Sequence, residues 1–535
     1  MEEANGTLFT VSIFIVLLLI ASAVAITTKF VKLPYTLALV IVGLIISPMH
    51  FLPVVHISPE LILLIFLPAL LFEAAWNLHL TKLLKNLVPI LMLAVPGLLL
   101  SVSVVGAVIH YGLGFPVATA LLFGSIICAT DPVSVLALFK QLGLPKRLYV
   151  LVEGESLLND GTAVVVFRIL LAVVMGTAAT EPDALFVDSL RQFGLTVFGG
   201  LAVGGVIGAA ASKLTGYFDD HLLEITLTTI AAYGSFLLAE SIHVSPVIAV
   251  VVAGIIIGTY GRERGMSPAT QVSVNAFWEY AAFVVNSLVF LLIGLEIQIT
   301  TLAEKVQLVG WAVAGMLLAR MVSIYGLTPL ANRFSERVPL AFQHVLFWGG
   351  LRGSLSVALV LSLPRDLPLR NELTIMTFGA VVFSLLVQGL SIPKLLRRLH
   401  LTAPAPERGR YETVRAQMLA EKAALAELDR MRETGSVSEF MYARLSGELQ
   451  PRFDTLSRDL AGVYQQQPAL AEDHIQRVEE HLLKVRKARV SDLLRDGLLS
   501  EEAFRDLHAE IDRQLLGGSS KDYVPSDPEG QSAPS

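Results

Sequence analysis

The feature that most constrains this chain is a long succession of apolar segments, each near the roughly 20 residues that a helix needs to cross hydrocarbon. Thirteen run through the first 400 residues, at 8-28, 33-49, 60-78, 86-110, 115-139, 148-174, 187-211, 222-241, 244-260, 277-299, 306-328, 340-363 and 372-393. Lipid offers no water to satisfy backbone amides and carbonyls, so segments of this length must be helical. Composition agrees. Hydrophobic residues make up 54% and charged residues 16%, with a mean hydropathy of +0.65, whereas a soluble surface needs roughly a quarter charged. The expected fold class is an all-α polytopic membrane protein of about 13 transmembrane helices.

Basic residues collect in cytoplasmic loops and so give an independent check on the spans. One set of alternate loops holds Lys29, Lys32, Lys82, Lys85, Lys140, Lys146, Arg147, Lys213, Arg262, Arg264, Arg333, Arg337, Lys394, Arg397 and Arg398. The other holds only Arg191, Lys305, Arg365 and Arg370. This asymmetry puts the N-terminus outside and the C-terminus in the cytoplasm, with no signal peptide expected, since Met1 to Thr7 has two glutamates and no basic residue.

Residues 401 onward read differently. The first 400 residues balance 22 Lys+Arg against 22 Asp+Glu, which leaves 18 basic and 24 acidic residues for the remainder. Charged stretches with apolar residues at helical spacing run from Arg410 to Arg432, Val437 to Gln465 and Ala471 to Leu516. The organisation expected is a membrane domain at 8-400, a helical cytoplasmic domain at 401-516 and a disordered tail at 517-535. The single cysteine, Cys128, excludes a disulfide framework and a cysteine-based zinc site. No polybasic domain points to nucleic acid, and no phosphate loop points to an ATPase or other enzyme. No cofactor is implied.

An ionisable side chain at the bilayer centre costs at least roughly 2.5 to 3.5 kcal/mol, so those deep in spans are functional candidates. Five qualify: Glu73 in span 3, Asp131 in span 5, Glu155 and Asp160 in span 6, and Arg352 in span 12. Arg168, Glu240, Glu279, Glu296 and Arg320 lie nearer span ends or outside any motif, and they read as interfacial or structural. In span 5, Pro132 removes a backbone donor and disfavours helix at Asp131, so a break is expected there. Carbonyls near Thr130 are then free to bind a cation, while Asp131 faces the amides of the second half-helix. Span 12 is interrupted by Gly349, Gly350 and Gly353 around Arg352. If spans 1 to 6 and 8 to 13 are repeats, spans 5 and 12 are equivalent and antiparallel. Paired broken helices in inverted halves mark a transporter's midplane site.

Span 6 carries the densest chemistry. Glu155 and Asn159 share one face at i, i+4, and Ser156 and Asp160 form the next column. Arg352 needs a carboxylate, because an unpaired buried charge is very costly, and Glu155 is nearest in depth. Asp160 is then left to hold either a proton or a small cation, with Glu73 placed to add an oxygen. Oxygen ligands suit a hard cation such as sodium.

Together GESLLNDG, ATDP and GGLRGS resemble the monovalent cation/proton antiporter family, specifically the NhaP-like branch that also contains the animal sodium/proton exchangers. The resemblance covers about residues 8 to 400. It implies that Asp160 is the exchanging carboxylate with Asn159 as its motif partner, that Thr130 and Asp131 lie at an unwound crossing helix, and that Glu155 pairs with Arg352. Ser156 and Glu73 match positions that help to ligate the cation, so sodium is expected at Asp160, Ser156, Thr130 and Glu73. Sodium and protons are the implied substrates, and a homodimer in the cell membrane the implied assembly. A potassium/proton antiporter is the closest rival reading. A cation channel, which leaks cation without moving protons, and a transport-incompetent sensor are rivals from other classes.

Overall fold

A computed structural model describes residues 2–30, 33–49, 61–78, 80–176, 182–216, 220–262, 265–297, 302, 304–401, 405–466 and parts of 475–516. Lys32, Arg264, the segment 517-535 and much of 471-500 lie outside the described residues. Among the described residues every regular element is helical. Residues Met1–Ala403 and Pro404–Ser535 form separate compact units.

The first unit runs as α1 (Glu2–Thr28), α2 (Tyr35–Ile46), α3 (Leu67–Asn77), α4 (Leu80–Lys85), α5 (Leu87–Ala94), α6 (Pro96–Leu113), α7 (Val117–Cys128), α8 (Val133–Leu142), α9 (Lys146–Val174) and α10 (Pro182–Thr215). It continues as α11 (His221–Ser241), α12 (Pro246–Ile256), α13 (Pro268–Glu296), α14 (Val306–Ala331), α15 (Leu340–Trp348), α16 (Ser354–Leu361), α17 (Arg370–Phe383) and α18 (Leu390–Arg398). The second unit has α19 (Ala405–Glu433), α20 (Glu439–Gln466) and α21 (Glu501–Leu516). Among the described residues seven helical stretches are long and apolar enough to cross a membrane, including Leu87–Leu113, Lys146–Val174, Thr270–Glu296 and Val306–Ala331. Shorter apolar helices such as Tyr35–Ile46 and Val117–Cys128 accompany them.

Local chemistry sets many of the boundaries. Asp220 Oδ1 accepts the N–H groups of Leu222 and Leu223 at the start of α11, and Ser245 and Ser267 cap α12 and α13, each followed by proline. Gly143 ends α8 in the left-handed conformation at φ 64. Where helices must approach closely, side chains are absent. Gly200, Gly204 and Gly208 on α10 lie against the backbone of Ser245, Ala249 and Ala253 on and just before α12. A Cβ on Gly43 of α2 would meet the Gly294 Cα of α13 at 2.9 Å.

Two helical paths are interrupted. After α7 ends at Cys128, the chain is non-helical until α8 resumes at Val133; after α15 ends at Trp348, helix resumes in α16 at Ser354. The two gaps meet, because Asp131 N donates to the Leu351 carbonyl at 2.8 Å.

Candidate functional site

Each gap leaves a carbonyl end and an amide end, and each end needs a partner because most of the gap residues are buried. At the carbonyl end of α7, Arg352 Nη1 donates to the Cys128 and Ala129 carbonyls, both at 3.1 Å. Asn159 Nδ2, from α9, donates to the same Cys128 carbonyl at 3.0 Å and to Thr130 Oγ1 at 3.1 Å. At the amide end of α8, Asp131 Oδ1 accepts Val133 N–H at 2.9 Å, a carboxylate at a positive helix terminus. The same carboxylate lies over Gly353, the residue that opens α16, so closely that a Cβ there would sit 2.1 Å from Asp131 Oδ2. Only glycine permits that approach.

The carbonyl end of α15 is closed by a residue that the sequence reading set aside. Arg320, from α14, donates to the Leu346 carbonyl from Nε at 3.2 Å and Nη2 at 2.9 Å. Its guanidinium also grips Glu155 with both oxygens, Nη1 to Oε1 at 2.6 Å and Nη2 to Oε2 at 2.8 Å. The side chains are 9% and 3% exposed, so this is a buried bidentate pair.

The expected pairing of Glu155 with Arg352 is therefore corrected: the partner of Glu155 is Arg320. Two arginines reach this depth, and Glu155 takes the one whose guanidinium can present both Nη atoms to it while its Nε and Nη2 also serve the Leu346 carbonyl. Arg352 instead satisfies the exposed carbonyls of α7 and, through its backbone N–H, donates to Ser384 Oγ at 3.1 Å. Depth was the signal that could have found Arg320, since it lies near the middle of the 26-residue α14 rather than at an end.

A cavity of about 50 Å³ opens beside the meeting of the gaps. Its wall includes Thr130, Asp131, Ser156 and Asp160. Asn286 of α13, Ser354 and Ser356 of α16, and Leu70 and Ala74 of α3 also line it. Asp160 Oδ1 is buried and without a hydrogen-bond partner. Thr130 and Ser156 are tied together: Thr130 Oγ1 donates to Ser156 Oγ at 3.3 Å, and Ser156 Oγ donates to the Thr130 carbonyl. Asn159 stands behind this wall and holds the unwound segment in place, as its bonds to Cys128 and Thr130 show. Glu73 is half-buried on α3 and accepts from Asn77 Nδ2 at 2.8 Å; the residues of its helix that line the cavity are Leu67, Leu70, Leu71 and Ala74. The structure thus brings four of the six expected ion-site residues to one cavity and leaves Asn159 and Glu73 beside it. Among the described residues no cluster of three or more His, Cys, Asp or Glu is placed to hold a resident metal.

Comparison with known proteins places this arrangement. The family described as "Sodium/hydrogen exchanger, transmembrane" matches residues 14–398. The chain is 38% identical over 510 residues to the low-affinity Na(+)/H(+) antiporter NhaS1 of Synechocystis sp., covering 94% of this chain and 96% of that protein. It is 40% identical over 497 residues to the Na(+)/H(+) antiporter ApNhaP of Aphanothece halophytica, covering 91% and 94%. In fold it resembles the sodium proton antiporter MjNhaP1 of Methanocaldococcus jannaschii, with a TM-score of 0.62 at 18% identity over 74% of this chain and 99% of that one. With the family matched over most of the chain and relatives aligned nearly end to end, this protein belongs to the sodium/hydrogen exchanger family.

Proposed function

We propose that the protein is a secondary antiporter that exchanges sodium, and also lithium, for protons across the cell membrane. Asp160 is the group that both substrates share. The observation that carries this reading is the Asp160 carboxylate with an unpartnered oxygen, facing a small cavity at the meeting of two interrupted helices. Proton and cation compete for that oxygen, which couples the fluxes without any covalent step. The names of the two relatives aligned above support the same substrates.

In this reading there are thirteen spans. Spans 1 to 6 and 8 to 13 are inverted repeats, and α7/α8 and α15/α16 are their equivalent broken helices. The N-terminus is outside, the region 401-516 is a cytoplasmic domain, and the protein works as a homodimer. Thr130, Ser156 and Asp131 supply oxygens around Asp160, with Glu73 at the approach to the site. Exchange is one-for-one, because Asn159 is neutral, Glu155 is committed to Arg320 and Asp131 is held at the α8 amide end.

The test is cation-induced dequenching of a pH dye in everted vesicles that contain the protein, comparing sodium, lithium and potassium. Sodium and lithium should each collapse an imposed acid interior, and potassium should do so weakly or not at all. Equal or greater dequenching by potassium would replace sodium as substrate, and cation uptake without proton movement would sink antiport.

A further inference from the structure

Ser356 sits at the third position of α16 and is 1% exposed, and it lines the same cavity as Asp160. Its hydroxyl has no hydrogen-bond partner. Among the described residues the buried hydroxyls of Ser212, Thr259 and Thr328 also have no partner, but of these four only Ser356 lines the cavity of Asp160. Many helical serines and threonines return their hydroxyls to the carbonyl three or four residues back, as Ser125 does to Leu122 at 2.7 Å and Thr377 to Leu373 at 2.8 Å. Ser356 cannot do so easily, because the two residues that would supply the carbonyl, Arg352 and Gly353, lie in the non-helical gap. The Gly353 carbonyl accepts Val357 N–H at 3.4 Å, and the Arg352 carbonyl faces Ser384 Oγ at 3.5 Å. A buried hydroxyl left without a partner is costly, and one that faces a cavity can recover that cost by binding what enters it. The amide end of α16 would repel a cation by itself. The Asp131 carboxylate lies against Gly353 at that end and offsets the repulsion.

Resting on the reading that Asp160 holds the transported cation, we propose that Ser356 Oγ is a further ligand of that cation, so that the site draws oxygens from α9 and from the second interrupted helix together. The cation it fits is a small, hard, largely dehydrated monovalent ion, since a neutral hydroxyl adds an oxygen without adding charge. Unlike Thr130 and Ser156, whose hydroxyls are bonded to one another, Ser356 has its hydroxyl wholly available.

The experiment is a sodium chloride titration of dye dequenching for wild type, Ser356→Ala, Ser356→Thr and Asp160→Asn, each checked for folding by size exclusion. Loss of one neutral oxygen ligand should raise the half-saturating sodium concentration about five-fold in Ser356→Ala. The maximal rate should be unchanged, and Ser356→Thr, which keeps the hydroxyl, should stay close to wild type. Ser356→Cys keeps the volume but presents a soft sulfur, and it should show the same loss for sodium if the alanine variant does not fold. An inert Asp160→Asn with an unshifted Ser356→Ala titration overturns the ligand alone, as does an equal shift in the alanine and threonine variants. Sodium-driven exchange in Asp160→Asn overturns the proposed function and this ligand with it.

Discussion

The gaps at 129–132 and 349–353 stop their helices by opposite chemistry and are closed by different neighbours. The first carries Pro132 and a carboxylate, Asp131; the second carries three glycines and a cation, Arg352. The carbonyl end of the first is satisfied from the second, through Arg352 on Cys128 and Ala129. The carbonyl end of the second is satisfied by Arg320 from a third helix, which is itself anchored on Glu155. For the two carbonyl ends the dependence is therefore one-way, although within the gaps Asp131 N–H also donates to the Leu351 carbonyl. Removing Arg352 should disturb the first gap, while removing Arg320 should loosen the second and strand Glu155 on the helix that bears Asp160.

The largest expected effect tests whether the cavity between the gaps serves transport and not the closing of helix ends. Asp160→Asn keeps volume and removes the shared charge, and it should lower sodium-driven proton movement to background in everted vesicles while thermal melts stay near wild type. Retained exchange, or a collapse of the melt, would break the assignment.

Next comes the one-way dependence itself. Arg320→Ala should destabilise by on the order of 3 to 5 kcal/mol, because it leaves Glu155 buried and unpaired. Adding Glu155→Ala should recover much of that loss, whereas Arg352→Ala combined with Glu155→Ala should be close to additive. Thermal melts of the singles and both doubles decide the matter, and coupling of Glu155 to Arg352 in place of Arg320 would reverse the comparison.

A smaller effect distinguishes the glycines of the second gap. Gly353→Ala places a methyl 2.1 Å from Asp131 Oδ2, so it should destabilise by about 1 to 3 kcal/mol and disturb the cavity wall. Gly350→Ala meets Arg320 Nε at 2.8 Å, a less severe approach than the 2.1 Å at Gly353, and should be milder in the same melts. If Gly350→Ala proves the more damaging, the contact between the gaps matters less than the closure by Arg320.

The smallest effect concerns residues outside the membrane unit. Truncation after about Thr402 should leave cation selectivity unchanged, because every group of the proposed site lies before His400. Removing 24 acidic and 18 basic residues should at most move the pH at which exchange begins. Surface fields are screened within about 8 Å at physiological salt, so that shift should shrink as ionic strength rises. A folded, truncated protein without transport would make the tail part of the machinery.

The sequence determined by itself what depends on neighbours along the chain. A run of apolar residues is helical in lipid wherever it lies, Pro132 and the glycines around Arg352 stop helix locally, and the spacing in GESLLNDG puts Glu155 and Asn159 on one face and Ser156 and Asp160 on the next. Those features were legible because membrane cost and helical period act within about 20 residues. Only the tertiary structure decided which arginine takes Glu155, that Glu73 turns to Asn77 while its neighbours line the cavity, and that the hydroxyl of Ser356 is left facing Asp160's cavity. Arg320 and Arg352 are 165 and 197 residues from Glu155, and depth in the membrane is all that sequence gives for such distant partners. Which of them meets the carboxylate depends on how each helix is rotated and packed, and that is fixed by contacts among helices far apart in the chain.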